Sequence, residues 1–219
     1  DIKDDKLLNK SLKNIDVVYH CAGLSDLNDS INKPIETIEE NILATAKLLH
    51  YSVKHKIKRF IFASSIYVYS KHGGFYRCSK QAAENYIDEF SKNYKLNYTI
   101  LRYGSIYGPR SNSSNGLYKI IENALKKNII TYRGNEDSIR EYIHVKDLAR
   151  SSIKILDKQF VNKCLTLTGS EKINVKDVLK IISEIIGIKK IKFSKNKEIG
   201  HYRISPYSYL PKPALKLNN

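Results

Sequence analysis

The chain has 219 residues, 42% hydrophobic and 27% charged, which suits one globular domain with a small appendage and excludes a disordered or fibrous protein. No apolar run is long enough to span a membrane, no secretory leader is visible, and three scattered cysteines (Cys21, Cys78, Cys164) form neither a disulfide framework nor a metal site, so a reducing, cytoplasmic setting is expected. The net charge is +16, half of it from Lys172 onward, and is read as a solvated lysine-rich surface, because no RNA-binding signature or arginine tract accompanies it. The start at Asp1 and the lack of methionine read as a fragment or a processed chain.

Short apolar runs alternate with longer amphipathic ones. Asp16–Gly23 reads as a buried strand ending in a glycine turn. Residues 34–54 read as a helix, with apolar positions at Ile35, Ile38, Ile42, Ala46 and Leu49. Arg59–Ala63 is a second buried strand, 79–94 a helix, and Asn97–Tyr103 a third strand. Strands alternating with helices imply a parallel sheet with right-handed crossovers, the α/β class. After Pro109 the texture changes. A polar loop leads into a helix over 117–127, a strand at 129–132 and a short helix over 147–156. Asn174 is a good N-cap for a further helix closed by Gly187, and 200–213 reads as an extended tail.

In an open parallel sheet, ligands bind beyond the carboxyl ends of the strands. Here those ends carry Ala22-Gly23, Ser64-Ser65 and Tyr103-Gly104-Ser105. Tyr76 and Lys80 follow, four apart on one helical face. An ammonium beside a phenol favours the phenolate and lowers the tyrosine pKa from about 10 towards neutrality, as a general acid/base requires. The spacing alone is weak evidence, since Tyr67/Lys71 and Tyr142/Lys146 share it. Only Tyr76/Lys80 follows a serine-tipped buried strand. His20 and Cys21 read as packing residues, and His144 and Asp147 as structural ones. The run Tyr202–Tyr209 reads as part of the tail rather than a base-stacking platform.

Seven stretches taken in order resemble the extended short-chain dehydrogenase/reductase family, in particular its NAD-dependent nucleotide-sugar epimerases and dehydratases. They are Asp1-Ile2, Asp16–Gly23, Asn41 in Asn-Ile-Leu-Ala-Thr, Ser64–Tyr69, Tyr76–Lys80, Leu101–Arg110 and Arg140–Asp147. The resemblance implies a Rossmann-like doubly wound parallel sheet over 1–110. It implies a mainly substrate-binding part over 111–219, with about 136–160 returning to the first. It implies Ser65, Tyr76 and Lys80 as the catalytic set. Asp1, Ile2, Cys21, Ala22, Gly23, Asn41, Ser64, Tyr103 and Gly104 would lie along NAD, with NADP left open, beside Tyr76 and Lys80. Ser65, Ser105 and Arg140 would hold a nucleotide-diphosphate sugar, the guanidinium fork matching phosphate oxygens. Family members often dimerise through helices that here are 34–54 and 79–94.

The departures narrow the reading. The family's glycine-rich phosphate loop is absent, so the chain reads as lacking the first βαβ part of its nucleotide-binding domain, and weak cofactor binding is expected. Ser70 and Arg77 stand where glycine is common, and Ser105 where many epimerases have asparagine. Family dehydratases carry an Asp-Glu pair after the catalytic serine. Ile66 and Tyr67 stand there and cannot perform that step. The resemblance therefore implies a 4-epimerase. Its alternatives are a nucleotide-sugar reductase or dehydrogenase, and a truncated, non-catalytic member that binds RNA or a partner through its basic surface.

Overall fold

A computed structural model describes residues 1–194. The expected tail at 200–213 and its tyrosine run lie outside the described residues. The chain opens with helix α1 (Asp5–Ser11), capped by the Asp4 carboxylate on the Leu7 amide at 3.0 Å. Strand β1 (Val17–His20) follows, then α2 (Leu27–Asn32), α3 (Pro34–Ile38) and α4 (Ala44–Lys54). Between α3 and α4 the helix widens into a π-turn over Glu39–Leu43. The helix expected over 34–54 is therefore one run with an extra residue folded into it.

Strand β2 (Arg59–Ser65) leads through a 3₁₀ turn (Ile66–Tyr69) into the long helix α5 (Gly74–Tyr94). This helix begins five residues before the sequence suggested. Its N-cap is Gly73 at φ +97°, which makes no side-chain cap, so the usual capping signal is missing. Next come β3 (Tyr98–Tyr103), β4 (Ser105–Tyr107), α6 (Gly116–Lys127), β5 (Ile130–Arg133), β6 (Ile139–Arg140) and β7 (Tyr142–His144). The described chain closes with α7 (Val145–Lys154), β8 (Lys163–Leu167), β9 (Ile173–Asn174), α8 (Val175–Ile186) and β10 (Ile191–Ser194). Asn174 does cap α8, accepting the Asp177 amide at 2.9 Å, and Gly187 ends it at φ +73°.

Four parallel strands form the main sheet in the order β1-β2-β3-β8. β2 is buried along almost its whole length because helices cover both faces, which is why its sequence is a continuous apolar run rather than an alternating one. One face packs Val18, Phe60, Phe62 and Ile100 against Leu8 and Leu12 of α1, Leu48 and Leu49 of α4, and Ala83 and Ile87 of α5. The other packs Ile61, Leu101 and Leu167 against Ile143, Leu148 and Ile155 from β7 and the α7 region. This is a Rossmann-like α/β fold. A separate core joins α6 and α8 to the parallel β5–β10 pair through Ala124, Ile130, Tyr132, Val178, Leu179 and Ile182. No helix among the described residues is long and apolar enough to cross a membrane.

Candidate active site

The carboxyl ends of β1, β2, β3 and β8 open on one side of the sheet, and α5 runs beside them. Tyr76, Lys80 and Glu84 lie four apart, so one face of α5 presents all three. The Lys80 ammonium donates to the Ala63 carbonyl at 2.8 Å. It sits 4.7 Å from the Phe62 ring centroid and 5.8 Å from that of Tyr76. Burial draws the Lys80 pKa down to about 8, while nearby Cys21 and Glu84 pull it upward. The Tyr76 side chain hydrogen-bonds Ser65. Burial raises the Tyr76 pKa and the Ser65 bond opposes it. The expected lowering by Lys80 is thus overridden by desolvation: the ammonium is spent on a backbone carbonyl and meets the ring rather than the phenolic oxygen.

At the β1 end, Gly23 takes φ +136°. A Cβ there would meet Asn41 Oδ1 at 2.5 Å. Only glycine fits that turn without displacing Asn41. Asn41, from the π-turn, accepts the Leu24 amide at 2.7 Å and donates to the Leu24 carbonyl and Ser79 Oγ, both at 2.9 Å. Asp1, Ile2, Ala22 and Gly23 line one cavity of about 320 Å³ with Lys3 and Glu40. Cys21, at the same strand end, is exposed. Just before it, His20 is buried, with Nε2 2.8 Å from Thr45 Oγ1. That hydroxyl already donates to the Asn41 carbonyl, so Nε2 carries the imidazole proton. Burial, aided by the Lys80 charge, takes the His20 pKa down to about 4, and the ring is a neutral packing group.

A second cavity, of about 290 Å³, brings together Ser65, Tyr67, Tyr103, Gly104, Ser105 and Arg140. Arg140 is buried and donates through Nη1 to the Ile139 carbonyl at 3.0 Å. Gly104 allows close approach to β8, since a Cβ would meet Thr168 Oγ1 at 2.6 Å. Ser64 departs from its expected cofactor-side place. It is buried, and its hydroxyl donates to Glu84 at 2.5 Å rather than facing either cavity. His144 and Asp147, expected to be structural, lie at the start of α7 and line a further cavity. The first accepts the Lys146 amide at the start of α7, and the second pairs with Arg150 at 3.3 Å.

Sequence reasoning missed Glu84 and Arg102. Arg102 grips Glu84 through Nε and Nη2 and donates through Nη1 to Tyr69 Oη at 2.5 Å. Glu84 follows Lys80 at the same four-residue spacing that singled out Tyr76, and that was the available signal.

Residues 1–164 match the NAD dependent epimerase/dehydratase family. The chain belongs to this family. It is 27% identical over 221 residues to a UDP-glucose 4-epimerase of Halalkalibacterium halodurans, covering 85% of this chain and 66% of that one. The solved UDP-N-acetylglucosamine 4-epimerase of Methanobrevibacter ruminantium M1, in complex with UDP-N-acetylmuramic acid, is 25% identical. It superposes with a TM-score of 0.83 over 90% of this chain and 69% of that one. The Bacillus cereus UDP-glucuronic acid 4-epimerase, in complex with UDP-glucuronic acid and NAD, shares the fold. Its TM-score is 0.86 at 24% identity, over 98% of this chain and 74% of that one. Across three other curated relatives the chain spans 72, 61 and 48% of their length. The epimerase/dehydratase family is thus shared by relatives acting on nucleotide sugars, and its members are enzymes.

Proposed function

We propose that the protein carrying this chain is an NAD-dependent nucleotide-sugar 4-epimerase. The observation that carries the reading is Tyr76 hydrogen-bonded to Ser65, with Lys80 one turn further along α5, beside the cavity that holds Arg140. The Gly23 turn, packed against Asn41, borders the cavity lined by Asp1, Ile2 and Ala22, and that cavity is the place assigned to the dinucleotide. NAD, when bound, supplies a reversible hydride acceptor. In its phenolate form Tyr76 takes the proton of the sugar hydroxyl at the reacting carbon, and the resulting phenol later returns it. Ser65 donates to the same oxygen and holds it at hydrogen-bond distance from Tyr76. Lys80 favours the phenolate once Tyr76 loses its proton, and its charge suits a ribose hydroxyl. Arg140 anchors the diphosphate, so the sugar is free to turn over between the two transfers. Ile66 is buried and Tyr67 is a phenol, so the adjacent pair supplies no carboxylates for dehydration.

The test is interconversion of UDP-glucose and UDP-galactose, and of the glucuronate pair, by the protein and its Tyr76→Phe variant. The variant is expected to lose about 10²–10⁴-fold in kcat, the usual worth of a positioned acid/base. Undiminished turnover would overturn the assignment of Tyr76.

The reading places the Rossmann-like part at 1–110, and the substrate-binding part at 111–219 with 136–160 returning to the first. It sets the protein in the cytoplasm. It also includes a homodimer through helices 34–54 and 79–94. Ile35 is 66% exposed and Tyr94 61%, with Ile38 and Tyr86 also open. Sedimentation should give twice the chain mass, and the mass of one chain would refute this.

A further inference from the structure

We infer that Glu84, backed by Arg102, is a positioning residue that fastens the reactive face of α5 to the end of β2 and keeps Lys80 charged there. The inference rests on the roles proposed for Tyr76 and Lys80. Three side chains, four apart on α5, meet three consecutive residues of β2. Glu84 takes the Ser64 hydroxyl at 2.5 Å, Lys80 gives to the Ala63 carbonyl at 2.8 Å, and Tyr76 bonds Ser65. Of these three contacts, the Glu84 one is braced from behind. Arg102 of β3 holds both carboxylate oxygens, and its guanidinium is stacked 4.6 Å from the Tyr69 ring centroid. Tyr69 in turn reaches Thr166 of β8 at 3.3 Å. The brace thus runs from α5 through β2 and β3 to β8, and its members are fixed by one another.

The arrangement has an electrostatic consequence. Lys80 is 7% exposed. Around it lie His20 from β1 and Cys21 just beyond its end, the Phe62 ring and Ala63 carbonyl from β2, and Tyr76 and Glu84 from its own helix. Arg102 of β3 stands behind Glu84. Near neutral pH the His20 ring carries no charge, and neither Tyr76 nor Cys21 readily ionises, since desolvation raises both pKa values. Glu84 is then the anion that supports the ammonium. Without the Glu84 charge, the buried ammonium would lose that support, and desolvation would draw its pKa lower.

The experiment is the titration of Lys80 itself, read from the side-chain shifts of ¹³C,¹⁵N-lysine-labelled protein and assigned with Lys80→Arg. The wild-type chain should titrate near pH 8. In Glu84→Gln, which keeps the shape and removes the charge, the inflection should fall below the wild-type value. In Glu84→Asp, which keeps the charge, it should stay near the wild-type value. A folded Glu84→Gln with an unmoved Lys80 overturns the proposal, because a purely structural brace would lower stability without moving that titration. If Glu84→Gln does not fold, the exchange of both partners in Glu84→Gln/Arg102→Met leaves no unpaired charge. Lys80 must still titrate lower there, and an unshifted value refutes the inference. The readout needs neither substrate nor turnover, so it stands apart from the Tyr76→Phe result. Loss of one reading does not mask the other.

Discussion

Replacing Arg102 with methionine is expected to cost about 3–5 kcal/mol of folding stability, the usual penalty for leaving a buried charge without its partner. Arg102 and Glu84 have side chains only 12 and 10% exposed, and the guanidinium bonds both carboxylate oxygens. After the change, the Ser64 hydroxyl is the donor that remains to Glu84. Urea unfolding followed by circular dichroism measures the loss. The double variant Arg102→Met/Glu84→Leu should recover most of it, since exchanging a whole buried pair for apolar groups is often close to neutral. A single variant within about 1 kcal/mol of wild type would show that the pair is solvated enough to be dispensable.

The second large effect is expected at Gly169, just beyond β8. A Cβ on this residue would lie 2.0 Å from the Tyr142 carbonyl oxygen and 2.9 Å from its carbon. Both are backbone atoms of β7, and β7 is itself paired to β4. No rotamer can relieve the clash, so the strand or the loop must move. Gly169→Ala should therefore sit at the upper end of overpacking penalties, about 3 kcal/mol. Gly116→Ala is the matched control. Nothing lies within 4 Å of its added carbon, and it should remain within about 1 kcal/mol of wild type. The displacement at Gly169 would also carry Tyr142, which lines the cavity with Arg140. Equal midpoints for the two variants would refute the close approach.

Much of this site was legible because its chemistry sits at strand ends, where an apolar run stops and small or hydroxyl residues begin. Arg59–Ala63 followed by two serines marks the end of β2 without any structure. The spacing of Tyr76 and Lys80 placed both on one face, although α5 begins earlier than read. Its first turn is set by a positive φ at Gly73, and a glycine cap leaves no side-chain signature. β8 was missed for another reason. Lys163, Cys164 and Thr166 break the apolar pattern, and its place beside β3 depends on a return of the chain after more than 50 residues, which local periodicity does not report. The Glu84–Arg102 pair was missed because charged residues on a helix and a strand read as surface. Only the fold shows that the two point at each other. Ser64 was assigned to the cofactor side on position alone, and the partner that turns it away comes from α5.

The widened turn at Glu39–Leu43 also bears on how related sequences can gain or lose residues. Such a turn holds one residue more than the α-helix on either side of it. Removing one residue there would restore even winding and leave α3 and α4 close to their present relative orientation, because the widened turn is what absorbs the extra residue. Ile35 and Ile38 would keep their side of the molecule, and the change would fall on the turn itself, where Asn41 now bridges the Leu24 amide and carbonyl. A homologue one residue shorter in this stretch must therefore shape its first strand-end turn by other means. A single-residue gap at this place in an alignment marks the loss of that local widening, with the helices on either side kept.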